Sequence, residues 1–163
     1  MTQYVPYLKG VCTRYVGSRE DAKDVLQNAL VRIVTNIADF KYQQEGSLQQ
    51  WASRIVVNES LRFLRDKRRQ DLLKLKLDVP DEAEEDDPPI EHIPPEVIHE
   101  MVSQLPTGYR TVFNLYMFED KSHEEIASLL GISAKTSSSQ LCRAKNLLAK
   151  MITAYNNKHQ HPR

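Results

Sequence analysis

From Ser122 to Ile152, apolar residues recur every three or four positions in two blocks separated by a glycine. Ile126, Ala127 and Leu130 line one face of the first block, and Leu141, Ala144, Leu148 and Ile152 line one face of the second, which is helical periodicity. Ser122 stands three residues before Glu125, the spacing at which a hydroxyl caps a helix and a carboxylate returns a bond to the cap's N–H. Gly131 supplies the backbone conformation that ends the first helix, and Ser133 is placed to cap the second. The pattern predicts a helix-turn-helix whose second helix leaves Lys135, Thr136, Ser138, Ser139, Gln140 and Arg143 largely free of the core. A buried stripe backed by short polar and basic side chains suits a DNA major groove.

The same reasoning covers the rest of the chain. A short helix is expected near Tyr4–Tyr15. Ser18 is a cap for a helix through Val25, Leu26, Ala29, Ile33 and Ile37, and Ser47 with Gln50 forms a second capping-box pattern, opening a helix through Trp51, Ile55, Leu61 and Leu64. Pro95–Gln104 and Thr107–Glu119 are two further helices ahead of the helix-turn-helix. Between the halves, D-V-P-D-E-A-E-E-D-D-P-P-I-E-H-I-P-P crowds acid and proline into a stretch that neither sustains a helix nor buries a core. The fold class is therefore all-α: two small helical domains, 1–73 and 95–156, joined by an acidic, proline-rich linker over 74–94 and followed by a tail over 157–163.

Charge distribution changes what the zero net charge implies. Residues 1–73 hold 12 Lys/Arg against 8 Asp/Glu, residues 74–100 hold 2 against 10, and residues 101–163 hold 8 against 4, so two mildly basic segments flank an acidic one. Cys12 and Cys142 are far apart in sequence and form no ligand motif with the histidines, which points to a reduced, cytoplasmic protein. No apolar run is long enough to span a bilayer and no signal-peptide pattern opens the chain, so neither membrane insertion nor export is expected. The acids Asp81, Glu82, Glu84, Glu85, Asp86 and Asp87 lack the spaced ligands and turn glycine of a calcium loop and read as solvated linker. His159 and His161 read as a frayed end. No nucleophile, phosphate loop or hydrolase motif is present, so neither enzymatic activity nor a cofactor is expected.

In the first domain the informative stretch runs from Gly46 to Arg69. Arg54, Asn58, Arg62, Arg65 and Arg69 recur at helical spacing, so one side of a single helix presents an amide and several guanidinium groups. Guanidinium groups reach phosphates, an amide bonds base edges, and the rings of Trp51, Tyr42 and Phe63 are available to stack on unpaired bases. The spacing is equally that of a solvated basic helix with a core tryptophan.

Taken together, the two halves resemble the extracytoplasmic-function group of bacterial sigma factors, the two-domain specificity subunits of RNA polymerase. The resemblance rests on Asp21-Ala22-Lys23-Asp24-Val25-Leu26-Gln27, on the helix from Trp51 to Arg69, and on Leu105-Pro106 with Arg110-Thr111-Val112-Phe113. It continues through Ser122-His123-Glu124-Glu125-Ile126-Ala127 and Gly131-Ile132-Ser133, so that nearly the whole chain is covered. It implies that Asp24, Gln27, Asn28, Val31 and Arg32 dock on core RNA polymerase. It further implies that Trp51, Arg54, Asn58, Arg62 and Arg65 meet the promoter's -10 element, and that Lys135, Thr136, Ser138, Ser139, Gln140 and Arg143 meet the -35 element.

An anti-sigma factor is the further partner the family implies, and the acidic linker would by the same resemblance thread toward the polymerase active centre, although its composition is equally that of a plain solvated tether. Two departures from the family pattern carry consequences. Asn28 stands where the family commonly has Glu. Ser137-Ser138-Ser139-Gln140 replaces an often more basic run, and each lost bidentate base contact forgoes roughly 1–3 kcal/mol of discrimination, so weak isolated binding to -35 DNA is expected. The family also carries another turn or two before a Tyr-x-Pro such as Tyr4-Val5-Pro6, which implies a shortened first helix or a longer native start. The competing readings are a stand-alone helix-turn-helix regulator and an inactive sigma-like protein that titrates an anti-sigma factor.

Overall fold

The structure, a computed structural model, describes residues 2–71 and 88–159, and every regular element among them is helical. The acidic run from Asp81 to Asp87, His161 and the side chain of Arg69 lie outside what is described. The seven α-helices among the described residues fall into two units, which divide the chain near residue 76. No helix among the described residues is long and apolar enough to cross a membrane.

The first unit holds α1 (Val5–Val16), α2 (Arg19–Thr35) and α3 (Ser47–Asp71). Each packs on the other two. Leu8, Val11, Cys12 and Tyr15 of α1, Val25, Leu26, Ala29 and Ile33 of α2, and Ala52, Val56 and Leu61 of α3 form the core. Burying a side chain of Val or Leu size is worth about 1.5–3 kcal/mol, so this three-way seam stabilises the unit. Ser18 caps α2 as its sequence position predicts, accepting a bond from the Asp21 N–H.

The remaining expectations for this unit are corrected in detail. α2 stops at Thr35, because Asn36 takes the C-cap position, and Ile37 falls in a separate 3₁₀ turn and is exposed. Ser47 does not open a capping box. Gly46, at φ 82°, turns the chain so that Ser47 is already helical, and the Ser47 hydroxyl accepts from the Gln43 N–H instead. The apolar stripe of α3 is rotated from the expected one: Ala52, Val56, Ser60 and Leu61 are buried, whereas Trp51, Ile55 and Leu64 are half-buried.

In the second unit, α4 (Pro95–Gln104), α5 (Thr107–Met117), α6 (His123–Leu130) and α7 (Ala134–His159) follow the predicted order. α5 ends two residues short of the expected Glu119, with Phe118 as its C-cap. Met101, Val102, Leu105, Tyr109, Ala144, Leu148 and Ile152 form the core. Ile93 joins them at 8% exposure, and the Pro89 carbonyl accepts a bond from Asn156 at 2.9 Å, so the proline-rich stretch just ahead of α4 lies against α7. α7 stays helical through His159, whose ring stacks on Tyr155 at 4.0 Å.

Arg110 occupies an unexpected place for a charge. It is only 6% exposed, and its Nη1 donates to the Ser103 and Leu105 carbonyls, each at 3.0 Å. These carbonyls close α4 just before Pro106, which has no N–H to offer. Burial pulls the Arg110 pKa down from its usual value.

Candidate nucleic-acid interface

The helix-turn-helix is built as the sequence predicts. The Ser122 hydroxyl accepts from the Glu125 N–H at 3.2 Å, and the Glu125 carboxylate accepts from the Ser122 N–H at 2.8 Å. That bond, together with the Lys121 charge 3.6 Å away, holds the Glu125 carboxyl below its ordinary value. Gly131 takes the left-handed conformation (φ 67°, ψ 37°), where a Cβ would be strained, and the Ile132 N–H closes on the Ala127 carbonyl. Ser133 then caps α7 by accepting from the Thr136 N–H at 3.0 Å.

What fixes α6 against α5 and α7 escaped the sequence reading. The His123 ring stacks on Tyr116 at 4.9 Å, and its Nδ1 shares a hydrogen bond of 2.9 Å with the hydroxyl of Ser137, which is fully buried. Extending the stripe of Leu141, Ala144 and Leu148 one turn backward lands on Ser137, so periodicity marks its burial. Nothing in the pattern marks its pairing with His123.

The six side chains assigned to the second helix are not equivalent. Lys135, Thr136 and Ser138 are exposed, whereas Ser139, Gln140 and Arg143 are half-buried. The Gln140 amide lies over the start of α5, about 3.5 Å from where a side chain on Gly108 would begin. The Thr136 hydroxyl lies 2.8 Å from that of Ser133, so it belongs to the cap as well as to the surface. Expected freedom from the core therefore holds for Lys135, Thr136 and Ser138 and is corrected for the other three, which are half-buried, Gln140 against the start of α5.

In the first unit, Arg54, Asn58, Arg62 and Arg65 are exposed along α3. Trp51 is half-buried, its ring 5.4 Å from Phe40 and tilted by 49°. Tyr42 is 73% exposed, and Phe63 is half-buried beneath the Lys67 ammonium at 5.6 Å. Lys67 is itself paired with Asp21 at 3.0 Å. Such a surface offers guanidinium groups for phosphates and rings for stacking.

On α2, Asp24, Gln27, Asn28, Val31 and Arg32 are all exposed, and Val31 is 67% exposed although its neighbours Ala29 and Ile33 are core. Val34, also on α2, is 56% exposed, a further apolar residue that the sequence reading did not single out. Arg32 is tied across to α3 by an ion pair of 2.8 Å between its Nε and Glu59. The two surfaces meet in a groove of about 440 Å³ lined in part by Asn28, Val31 and Arg32 from α2 and by Glu59, Arg62 and Asp66 from α3.

The family comparisons divide as the units do. Residues 1–70 match the model described as Sigma-70 region 2, and residues 96–148 match that of Sigma-70, region 4. The chain is 26% identical over 140 residues to the RNA polymerase sigma factor SigV of Bacillus subtilis, spanning 85% of this chain and 80% of that one. It is 26% identical to the ECF RNA polymerase sigma-E factor of Haemophilus influenzae, spanning 93% and 85%. A solved structure, the sigma factor RpoE in complex with the anti-sigma factor NepR from Bartonella quintana, shares the fold with a TM-score of 0.53 at 19% identity, covering 93% of both chains. With one matched region on each helical unit, in order, and relatives that span both, the chain belongs to the extracytoplasmic-function group of the sigma-70 family.

Proposed function

We propose that this chain works in the cytoplasm as a sigma factor that attaches to core RNA polymerase, directs it to particular promoters and assists their opening. The observation that carries the assignment of faces is the exposed row Arg54, Asn58, Arg62 and Arg65 on α3, with the partly exposed ring of Trp51 at its N-terminal end. That row meets the -10 element, where guanidinium groups hold backbone and the amide and ring hold bases that have left the stack. Asp24, Gln27, Asn28, Val31 and Arg32 on α2 anchor the polymerase, and the exposure of two valines on that helix supports a protein partner there.

On α7, Lys135, Thr136 and Ser138 make the outward contacts to -35 DNA, with Ser139, Gln140 and Arg143 at their edge. Attachment to polymerase makes both promoter contacts intramolecular, so each needs only modest affinity of its own. An anti-sigma factor is the natural antagonist, as the capture of a sigma factor of this fold with NepR supports.

The test is transcription in vitro from genomic fragments with purified chain and sigma-free core polymerase, with start sites mapped by sequencing. Defined starts that share upstream elements and vanish on combining Asn58→Ala with Arg62→Ala are the expected result. Tight core binding without any start would refute the proposal in favour of a titrating module. Absence of core binding would refute it in favour of a stand-alone regulator.

A further inference from the structure

Glu59 is a carboxylate in the wrong place for a nucleic-acid surface. It sits on α3 between Asn58 and Arg62, on the helix proposed to meet promoter DNA, yet its side chain is only 12% exposed and turns toward α2. There its Oε1 lies 2.8 Å from Nε of Arg32, whose side chain remains 49% exposed. The geometry matters because a guanidinium carries donors on two edges. A carboxylate engaged through Nε takes one edge and leaves an Nη pair at the other for a bidentate partner. A long arginine side chain that would otherwise lose rotamer freedom on binding is held by this pair before a partner arrives.

We infer that Glu59 is a positioning residue for polymerase attachment: it holds Arg32 extended across the α2–α3 groove, with its outer edge presented to a carboxylate on the polymerase. The groove that Glu59 and Arg32 line also contains Asn28 and Val31 from the anchoring face and Arg62 from the promoter face, so this half-buried acid lies where the two faces meet. Glu59 therefore contributes to core affinity without touching the polymerase. The inference rests on the proposal that α2 is the anchoring face.

The experiment is a double-mutant cycle on the affinity of the full chain for core polymerase, with Arg32→Gln, Glu59→Gln and the double variant, alongside Val31→Asp as a control for the anchoring face. Coupling between residues in direct contact predicts that Glu59→Gln alone weakens core binding by about three- to tenfold and has no further effect once Arg32 is Gln. A merely structural role would lower affinity equally in both backgrounds and would lower the thermal midpoint with it, and that result overturns the inference. Unchanged or tighter binding by Glu59→Gln overturns it as well, since tighter binding means that the pair sequesters Arg32. If Val31→Asp binds core normally, the anchoring face itself is wrong and the inference falls with it. If Val31→Asp abolishes binding while Glu59→Gln does not weaken it, only the role of Glu59 is lost.

Discussion

Replacing Arg110 by Met should destabilise the second unit out of proportion to the loss of one charge. The Nη1 atom of Arg110 holds two carbonyls at 3.0 Å where α4 ends, the Leu105 bond buried and the Ser103 bond partly so, and the Pro106 nitrogen has no proton with which to replace it. Hydrogen bonds from a charged donor are worth about 1.5–3 kcal/mol each in net stability. The two share one nitrogen and so are not additive, and Met avoids the burial cost that pulls the Arg110 pKa down, so the expected loss is about 3 kcal/mol. In a unit of this size that lowers the thermal midpoint by more than about 10 °C.

Hydrogen exchange on the full chain reads the effect, through the amides of α4 and of the first turns of α5. Fluorescence of Trp51, the one tryptophan in the sequence and a member of the other unit, should report an unchanged transition there. Arg110→Lys keeps the charge on a shorter reach and should fall between. Equal amide protection in wild type and Arg110→Met would refute the reasoning, since it would mean the two carbonyls do not depend on the guanidinium.

Four other outcomes are expected. Ser122→Ala removes the cap of α6 and should cost about 1 kcal/mol by urea denaturation. Glu125→Gln should be less stable than wild type at neutral pH. Because the folded pKa of Glu125 lies below the unfolded one, its contribution is fully present above the ordinary carboxylate value and is lost as pH falls through the depressed value, so denaturation midpoints of the two proteins should converge in acid. Asp120 sits at φ 50°, a conformation that a β-branched residue tolerates poorly; Asp120→Val should lower stability by about 1–2 kcal/mol while Asp120→Gly does not, as read by thermal unfolding. Lys135→Ala should weaken promoter binding by the assembled polymerase across sequences and reduce the salt slope by about one, in titrations at several salt concentrations.

The features legible in the sequence were those set by local chemistry. Ser122, Glu125, Gly131 and Ser133 act within a few residues of themselves, so their capping roles follow from spacing, and Leu141, Ala144, Leu148 and Ile152 are buried as their period requires. What was missed depends on partners distant in sequence. The stripe marks Ser137 as buried but not as the partner of His123, and Glu59 looks like a surface acid until Arg32 arrives from α2. Arg110 is the instructive case, because the signal was present: a helix ending at Leu105-Pro106 leaves carbonyls that need a donor, and an arginine four residues after that proline can reach them. Ser47 failed for the opposite reason, since a capping-box spacing does not reveal that the turn at Gly46 starts the helix one residue sooner.

The closure of α1 and α2 on α3 has a consequence for how the protein is made. The Ser60 hydroxyl lies 3.8 Å from the buried Cys12 sulfur, and Lys67 pairs with Asp21, each contact spanning more than forty residues of chain. While the ribosome adds about 5–20 residues per second, α1 and α2 emerge with their apolar stripes uncovered and can complete their core only when α3 has followed them out. The last element to appear in this unit is the one that lines the groove and carries the arginine row. If the proposed faces are right, a growing chain therefore cannot present a finished polymerase-binding surface before the helix proposed to read the promoter exists, and a product truncated ahead of α3 would be left for proteolysis instead of occupying the polymerase.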